Sequence, residues 1–446
     1  MKKTAAFLLV LLVLSATHNS YATVGYLLPG AGPVSTALGG TGASYNIGSD
    51  AMIYNPATLM LLPVGGTFQE GLDVLITRID FKDLPGHLIA AQRNRGNNND
   101  PFFLPAISYV LRKDRFAIGM GVFPGGGLGV QYGSSSWLSD AGNAGTHLDV
   151  ADRFIGIRAP LAFAYQMTNR LAVGGAIDAV YEDLNLRSFV PGSELQSLAA
   201  AGLATGSLVA SLGQVPGLVG GYVNFYKNSP IGGALYGWGV GGRLGLTYRF
   251  DARTRVGMVY NFQTDVANLT GGGQLSAVTI NGALPLYGRY TVYNFQLPAS
   301  FIVGISRKVA DTGLVTFDFK RILFAAVNRF LSFGFSQDAG GSLNVNIPTY
   351  GPNVDVFALG GAYRVGQNTI LRGGVQYAQE PENPKFLSAL LPGIPTVQFT
   401  AGIGYRIGKR NSVDLALEYA NKTETGYPFQ TTHIQYQVSL GYAHHF

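Results

Sequence analysis

Apolar and polar residues alternate with a period of two along most of this chain. In the last segment Ile434, Tyr436, Val438, Leu440, Tyr442 and Phe446 share one face, and His433, Gln435, Gln437, Ser439, Gly441 and His445 share the other. Successive side chains of a strand point to opposite faces, so each such segment predicts a strand with one greasy face and one polar or small face. Val413, Leu415, Leu417 and Tyr419 repeat the pattern against Ser412, Asp414, Ala416 and Glu418, and Leu244, Leu246, Tyr248 and Phe250 repeat it against Arg243, Gly245, Thr247 and Arg249. Fourteen segments of this kind are expected, from Thr67–Arg78 to Thr432–Phe446.

The connections separate a membrane barrel from a soluble sandwich. Six are tight, among them Lys113-Asp114, Thr168-Asn169 and Gly366-Gln367-Asn368. They alternate with long ones, among them Ser188–Tyr236, Leu269–Val292, Val327–Pro352 and Glu380–Pro395. Short turns at one end, long loops at the other and an even strand number describe an outer-membrane barrel, whereas Greek-key connections would not sort themselves this way. The fold expected is therefore all-β: a 14-stranded antiparallel transmembrane β-barrel spanning 63–446, in the bacterial outer membrane.

Two N-terminal stretches do not alternate. Residues 1–22 carry Lys2 and Lys3, an apolar run from Ala5 to Leu14, and Ser20-Tyr21-Ala22, the pattern of a secretory signal peptide. Residues 23–62 are rich in Gly, Ala and Ser with little charge, which suits a hatch packed inside the lumen better than a disordered tail.

Composition sharpens this picture. Charged residues are 13 % of the chain, against about 25 % in soluble domains, while aromatics reach 12 % and glycines number 61. A net charge of +6, scattered along the chain, gives no basis for nucleic-acid binding, and with no cysteine the exported chain relies on its hydrogen-bonded ladder rather than on disulfides. No catalytic triad, HExxH motif or paired metal ligands occur, so no catalytic residue, metal or cofactor is expected.

The string GAGPVSTALGGTGASYNIGSDAMIYNPATL, with Asn55-Pro56-Ala57 near its end, resembles the N-terminal hatch of FadL/TodX-type outer-membrane transporters. LAFAYQMTNRLAVGGAIDAVY, FQLPASFIVGISRKV and the C-terminal Phe446 extend the resemblance over essentially the whole mature chain. It implies a monomer whose partners are hydrophobic solutes, outer-membrane lipid and the barrel-insertion machinery. It also implies passive uptake: capture by outer loops, binding inside, and lateral release at a kinked third strand. Long-chain fatty acids are the expected substrates, with monoaromatic hydrocarbons as the alternative; a general porin, a surface adhesin and an outer-membrane enzyme are the competing classes.

Site candidates follow from both lines of reasoning. A pocket for a fatty acid is apolar with one or two orienting cations. By alternation Arg158, Arg243, Arg249, Arg255, Lys320, Arg372 and Arg406 face the lumen, and Arg158, Lys320 and Arg243 are the candidates for holding a carboxylate; each can equally serve a structural ion pair. Pro124 lacks a ladder donor and Gly125, Gly126 and Gly127 lack side chains, so this stretch is the candidate lateral opening, a loop-entry turn being the other reading. Trp137, Leu138, Leu198, Leu203, Phe386 and Leu390 are candidates for a greasy capture surface, with simple loop packing as the alternative. Phe446 is expected to be the assembly signal: its deletion should lower the amount of heat-modifiable barrel in the outer membrane, and an unchanged amount would exclude that role.

Overall fold

The computed structural model of the protein describes residues 25–83, 93–96, 101–139, 145–229, 232–379, 389–390, 396–426 and 429–446. The signal peptide expected over residues 1–22 lies outside them. Along the chain run β1 (Gly65–Asp83), β2 (Arg93–Gly96), β3 (Phe102–Arg112), β4 (Phe116–Gly133), β5 (Val150–Gln166), β6 (Leu171–Pro191) and β7 (Ala204–Thr205). Next come β8 (Leu218–Phe225), β9 (Leu235–Arg249), β10 (Thr254–Asn261), β11 (Asp265–Val266), β12 (Leu269–Thr279), β13 (Gly282–Tyr293), β14 (Ser300–Val309) and β15 (Gly313–Ile322). The chain ends with β16 (Phe330–Gln337), β17 (Ser342–Pro348), β18 (Val354–Val365), β19 (Thr369–Ala378), β20 (Val397–Ile407), β21 (Asn411–Gly426) and β22 (Phe429–His445).

Antiparallel pairing passes from β1 through β3, β4, β5, β6, β9 and β10. It continues through β14, β15, β18, β19, β20 and β21 to β22, which pairs back onto β1. The sheet thus closes on itself, as a backbone in hydrocarbon requires. The Phe446 amide donates to the Gly66 carbonyl at 2.9 Å and finishes the seam. Ile118, Met120, Leu161, Phe163, Leu244, Tyr248 and Ile305 stand exposed on the outside, the apolar band that meets acyl chains. Among the described residues no helix is long and apolar enough to cross a membrane.

The expected strand count is corrected here. The single sheet holds 22 strand segments, not fourteen. Stretches expected to be loops contain β8, the β12–β13 hairpin and the β16–β17 hairpin, and these continue the ring beyond the lipid band. Their polarity is inverted, which hid them. In β16 and β17 Phe333, Phe335, Leu343 and Val345 are buried on the inner side, while Asn344 and Ser336 are exposed on the outer side. A strand above the membrane faces water outward and packs its apolar face inward, as in a soluble sheet.

Residues 26–62 contact strands on several sides of the ring. Asp318 of β15 accepts hydrogen bonds from the Gly42 and Ala43 amides at 2.8 and 2.9 Å and from the Tyr54 hydroxyl at 2.9 Å. Thr400 of β20 accepts from the Gly39 amide at 3.0 Å, and Gln376 of β19 donates to the Gly39 carbonyl at 3.1 Å. Gln69 of β1 accepts from the Ser49 amide at 3.0 Å. Such close approach needs wall positions without side chains. A Cβ on Gly257 would stand 1.8 Å from the Ala43 carbonyl oxygen, and one on Gly374 would stand 2.3 Å from the Gly39 nitrogen. Gly373, one residue earlier and on the outer face, would meet nothing closer than 3.7 Å. Gly374→Val should therefore cost about 1–3 kcal/mol by overpacking, read as a lower denaturation midpoint in detergent, while Gly373→Val should not. Equal effects of the two would mean that the N-terminal segment does not press on this wall.

Candidate functional site

The Asn55-Pro56-Ala57 motif is a helix start wedged into the wall. Asn55 caps the short 3₁₀ helix Pro56–Leu61, accepting from the Ala57 amide at 3.1 Å, and Pro56 supplies the fixed φ that such a start favours. The other half of the Asn55 amide donates to the Ala43 carbonyl at 2.6 Å and to the Leu246 carbonyl of β9 at 3.2 Å. Gly174 of β6 and Gly245 of β9 make the space: a Cβ on either would lie 2.6 Å from the Ala57 nitrogen or 2.1 Å from the Asn55 side-chain oxygen.

The three candidate cations are placed differently from one another. Arg243 is fully buried; it donates to Asp178, to Asn261 at 3.1 Å and to the Met52 carbonyl of the N-terminal segment. Arg158 reaches the same Asp178 oxygen at 3.2 Å. Lys320 rests its ammonium 5.2 Å from the centre of the Tyr54 ring, beside the segment that Asp318 anchors. Arg249, Arg255, Arg372 and Arg406 line two cavities of about 320 and 650 Å³ at the turn end, where Arg372 pairs with Asp414 at 2.6 Å. At that end the Arg253 and Thr254 amides, bonded to Asp251, hold its carboxyl below the usual carboxylate range.

At the candidate opening the wall changes. Pairing between β3 and β4 ends at Ile107↔Val122, although β4 continues to Gly133 along β5. The β4–β5 register shifts between Pro124 and Gly126, and Gly126 has a φ of +153°, which a side chain would strain. On its vacated edge the Gly127 amide donates at 2.9 Å to the carbonyl of Tyr26, a residue of the N-terminal segment. A Cβ on Gly126 would come within 2.6 Å of that same oxygen.

Tyr26 brings with it a group of rings that the sequence did not single out. Its ring centre lies 5.7 Å from Phe154, 6.0 Å from Phe295 and 5.5 Å from Phe324, and Phe154 lies 5.0 Å from Phe295. Edge-on contacts of this kind are favourable for aromatic pairs. One signal for the group was legible: Phe154 is a large ring on the face where its neighbours Gly156 and Ala162 are small.

The outer-loop candidates do not form one surface among the described residues. Leu198, at the end of the short helix Gly192–Ala200, packs with Leu208, Phe225, Tyr290 and Phe335, and Leu203 accepts from the Asn346 amide beside it. Leu138 and Leu390 pack in a separate cluster with Phe81 and Tyr132. Phe386 and the side chain of Trp137 lie outside the described residues.

Comparison with known proteins fits this geometry. Residues 28–441 match the family described as outer membrane protein transport protein (OMPP1/FadL/TodX). The toluene transporter TodX of P. putida is 35 % identical, superposes with a TM-score of 0.84, and the match covers 94 % of this chain and 99 % of that one. The toluene transporter TbuX of Ralstonia pickettii is 39 % identical with a TM-score of 0.79 and the same coverage. Outer membrane protein P1 of Haemophilus influenzae is 24 % identical over 327 residues, which is 71 % of this chain and 65 % of that protein. The chain therefore belongs to the OMPP1/FadL/TodX family of outer-membrane channels for hydrophobic compounds.

Proposed function

We propose that this channel takes up neutral monoaromatic hydrocarbons and releases them sideways into the membrane. The observation that carries the reading is the aromatic group of Tyr26, Phe154, Phe295 and Phe324, set beside the stretch of β4 that has lost β3. Local charge supports a neutral cargo. On β5, β6 and β9 the guanidiniums of Arg158 and Arg243 are both bonded to Asp178, so neither is free to hold a carboxylate at the rings. The fatty-acid reading favoured by the sequence needs a spare cation at the rings, and Lys320 is committed elsewhere, over Tyr54. The two relatives with 35 and 39 % identity are both toluene transporters, which supports the same choice.

The N-terminal segment serves as the plug in this reading. It spans the lumen from β1 to β15 and β20, so a solute at the rings has no straight path to the periplasm. Such a path would also be unfavourable, since each buried CH₂ is worth about 0.8 kcal/mol relative to water. Exit through the β3–β4 interruption keeps the solute out of water throughout.

Cells without a channel of their own, expressing this one, should take up labelled toluene and not labelled oleate; the reverse preference would overturn the neutral-substrate reading. The exit is tested by pairing Ala106→Cys with Phe123→Cys, the next positions beyond the last β3–β4 pair, in a chain that has no other cysteine. The oxidised form should lose most of its toluene uptake and recover it on reduction. Equal uptake by both forms would rule out release at this place.

A further inference from the structure

Among the buried acidic side chains of the wall, Glu182 of β6 stands apart. It has no exposed surface, and among the described residues neither of its carboxyl oxygens has a hydrogen-bond partner. Asp178, four residues earlier on the same face, is bonded by two arginines, and Asp183 is bonded by Arg153 and by the Gly232 amide. Buried carboxyls left without donors are rare and call for an explanation.

The register explains why no wall residue reaches it. Its cross-strand neighbours are Gly156 on β5 and Gly237 on β9, and Gly156 in turn pairs with Gly126 on β4. A row of glycines therefore flanks Glu182 from the interrupted strand inward. The Arg158 guanidinium is turned to Asp178 and lies beyond 4 Å of Glu182. The ring of Phe154 leans over the same row, its tip 3.5 Å from where a Gly156 Cβ would stand. Glu182 thus presents two free acceptor oxygens at the side of the aromatic group, next to the candidate exit.

We infer that Glu182 is a specificity-determining residue that accepts a hydrogen bond from an aromatic solute carrying a donor, of the phenol or aniline class. This rests on the neutral-aromatic reading above and extends it: the rings hold the arene face while the carboxyl holds an –OH or –NH₂ group at its rim. A carboxyl keeps more than one acceptor lone pair, so the donor needs no fixed orientation.

The test uses three ligands of nearly equal shape: p-cresol, p-xylene and p-methylanisole. Their equilibrium binding is measured on the full chain in lipid vesicles, with channel-free vesicles subtracted. The parental protein should prefer p-cresol over p-xylene, and p-methylanisole, which keeps the oxygen but lacks the donor, should bind like p-xylene. Glu182→Leu should lower the cresol-to-xylene ratio by several-fold to about tenfold, the range expected for one buried hydrogen bond. Glu182→Gln, whose amide oxygen still accepts, should lower it less. If p-methylanisole bound the parental protein as well as p-cresol, the donor would be irrelevant and the inference wrong, whatever the variants did. If Glu182→Leu bound p-xylene normally with an unchanged ratio, the role of Glu182 would be excluded while the aromatic reading survived. If none of the three ligands bound the parental protein, the aromatic reading itself would fail.

Discussion

In hydrocarbon an unpaired backbone amide or carbonyl has no water to turn to, and this constraint governs the rest of the molecule. It forces the strands into a closed ladder, and the ladder in turn dictates the period-two pattern, with apolar side chains outward and small or polar ones inward. The exception has structural weight for the same reason. After Val122 strand β4 loses β3, and the next amide on that edge, Gly127, is satisfied by the Tyr26 carbonyl of the N-terminal segment. The wall and the segment inside it are therefore not independent parts, since one supplies a bond that the other lacks.

The same economy shapes the lumen. Glycines on the inner face let the backbone of residues 37–57 lie against the wall, and Asp318, Gln376, Thr400 and Asn55 fasten it with directed hydrogen bonds. Charges inside are answered locally: each guanidinium nitrogen of Arg243 donates to a partner, Asn261, Met52 or Asp178. An interior whose charges are paired, with a group of rings at its interrupted strand, is suited to cargo that is itself neutral and apolar. Glu182, flanked by glycines and without a donor, adds a single polar feature to that site.

Much of this was written in the alternation. The ring strands, the tight turns at one end and the unusual stretch Pro124–Gly127 follow from residue type and spacing alone, because in the lipid band each residue's face is dictated by its neighbours. The strands above that band were not legible in the same way. In β16 and β17 the apolar face turns inward, and Gly271-Gly272-Gly273 in β12 gives no face at all. The lumenal cations could be assigned to the interior but not to partners: Arg158 and Asp178 are 20 residues apart in sequence, and Arg243 and Asp178 are 65 apart. Tyr26 and Phe324 were beyond reach for another reason. Tyr26 lies on no alternating segment and Phe324 lies just past the observed end of β15, within the longer strand expected there, and only the folded chain brings them to Phe154.

The central claim is that a neutral arene is held by these rings beside the interrupted strand. It is met most directly by anomalous diffraction from crystals soaked in bromobenzene. The account predicts bromine density in contact with Phe154 and Phe295, within reach of the Gly126–Gly127 stretch. Density confined to the outer cluster around Phe225, Tyr290 and Phe335, or to the arginine-lined cavities at the turn end, would contradict it.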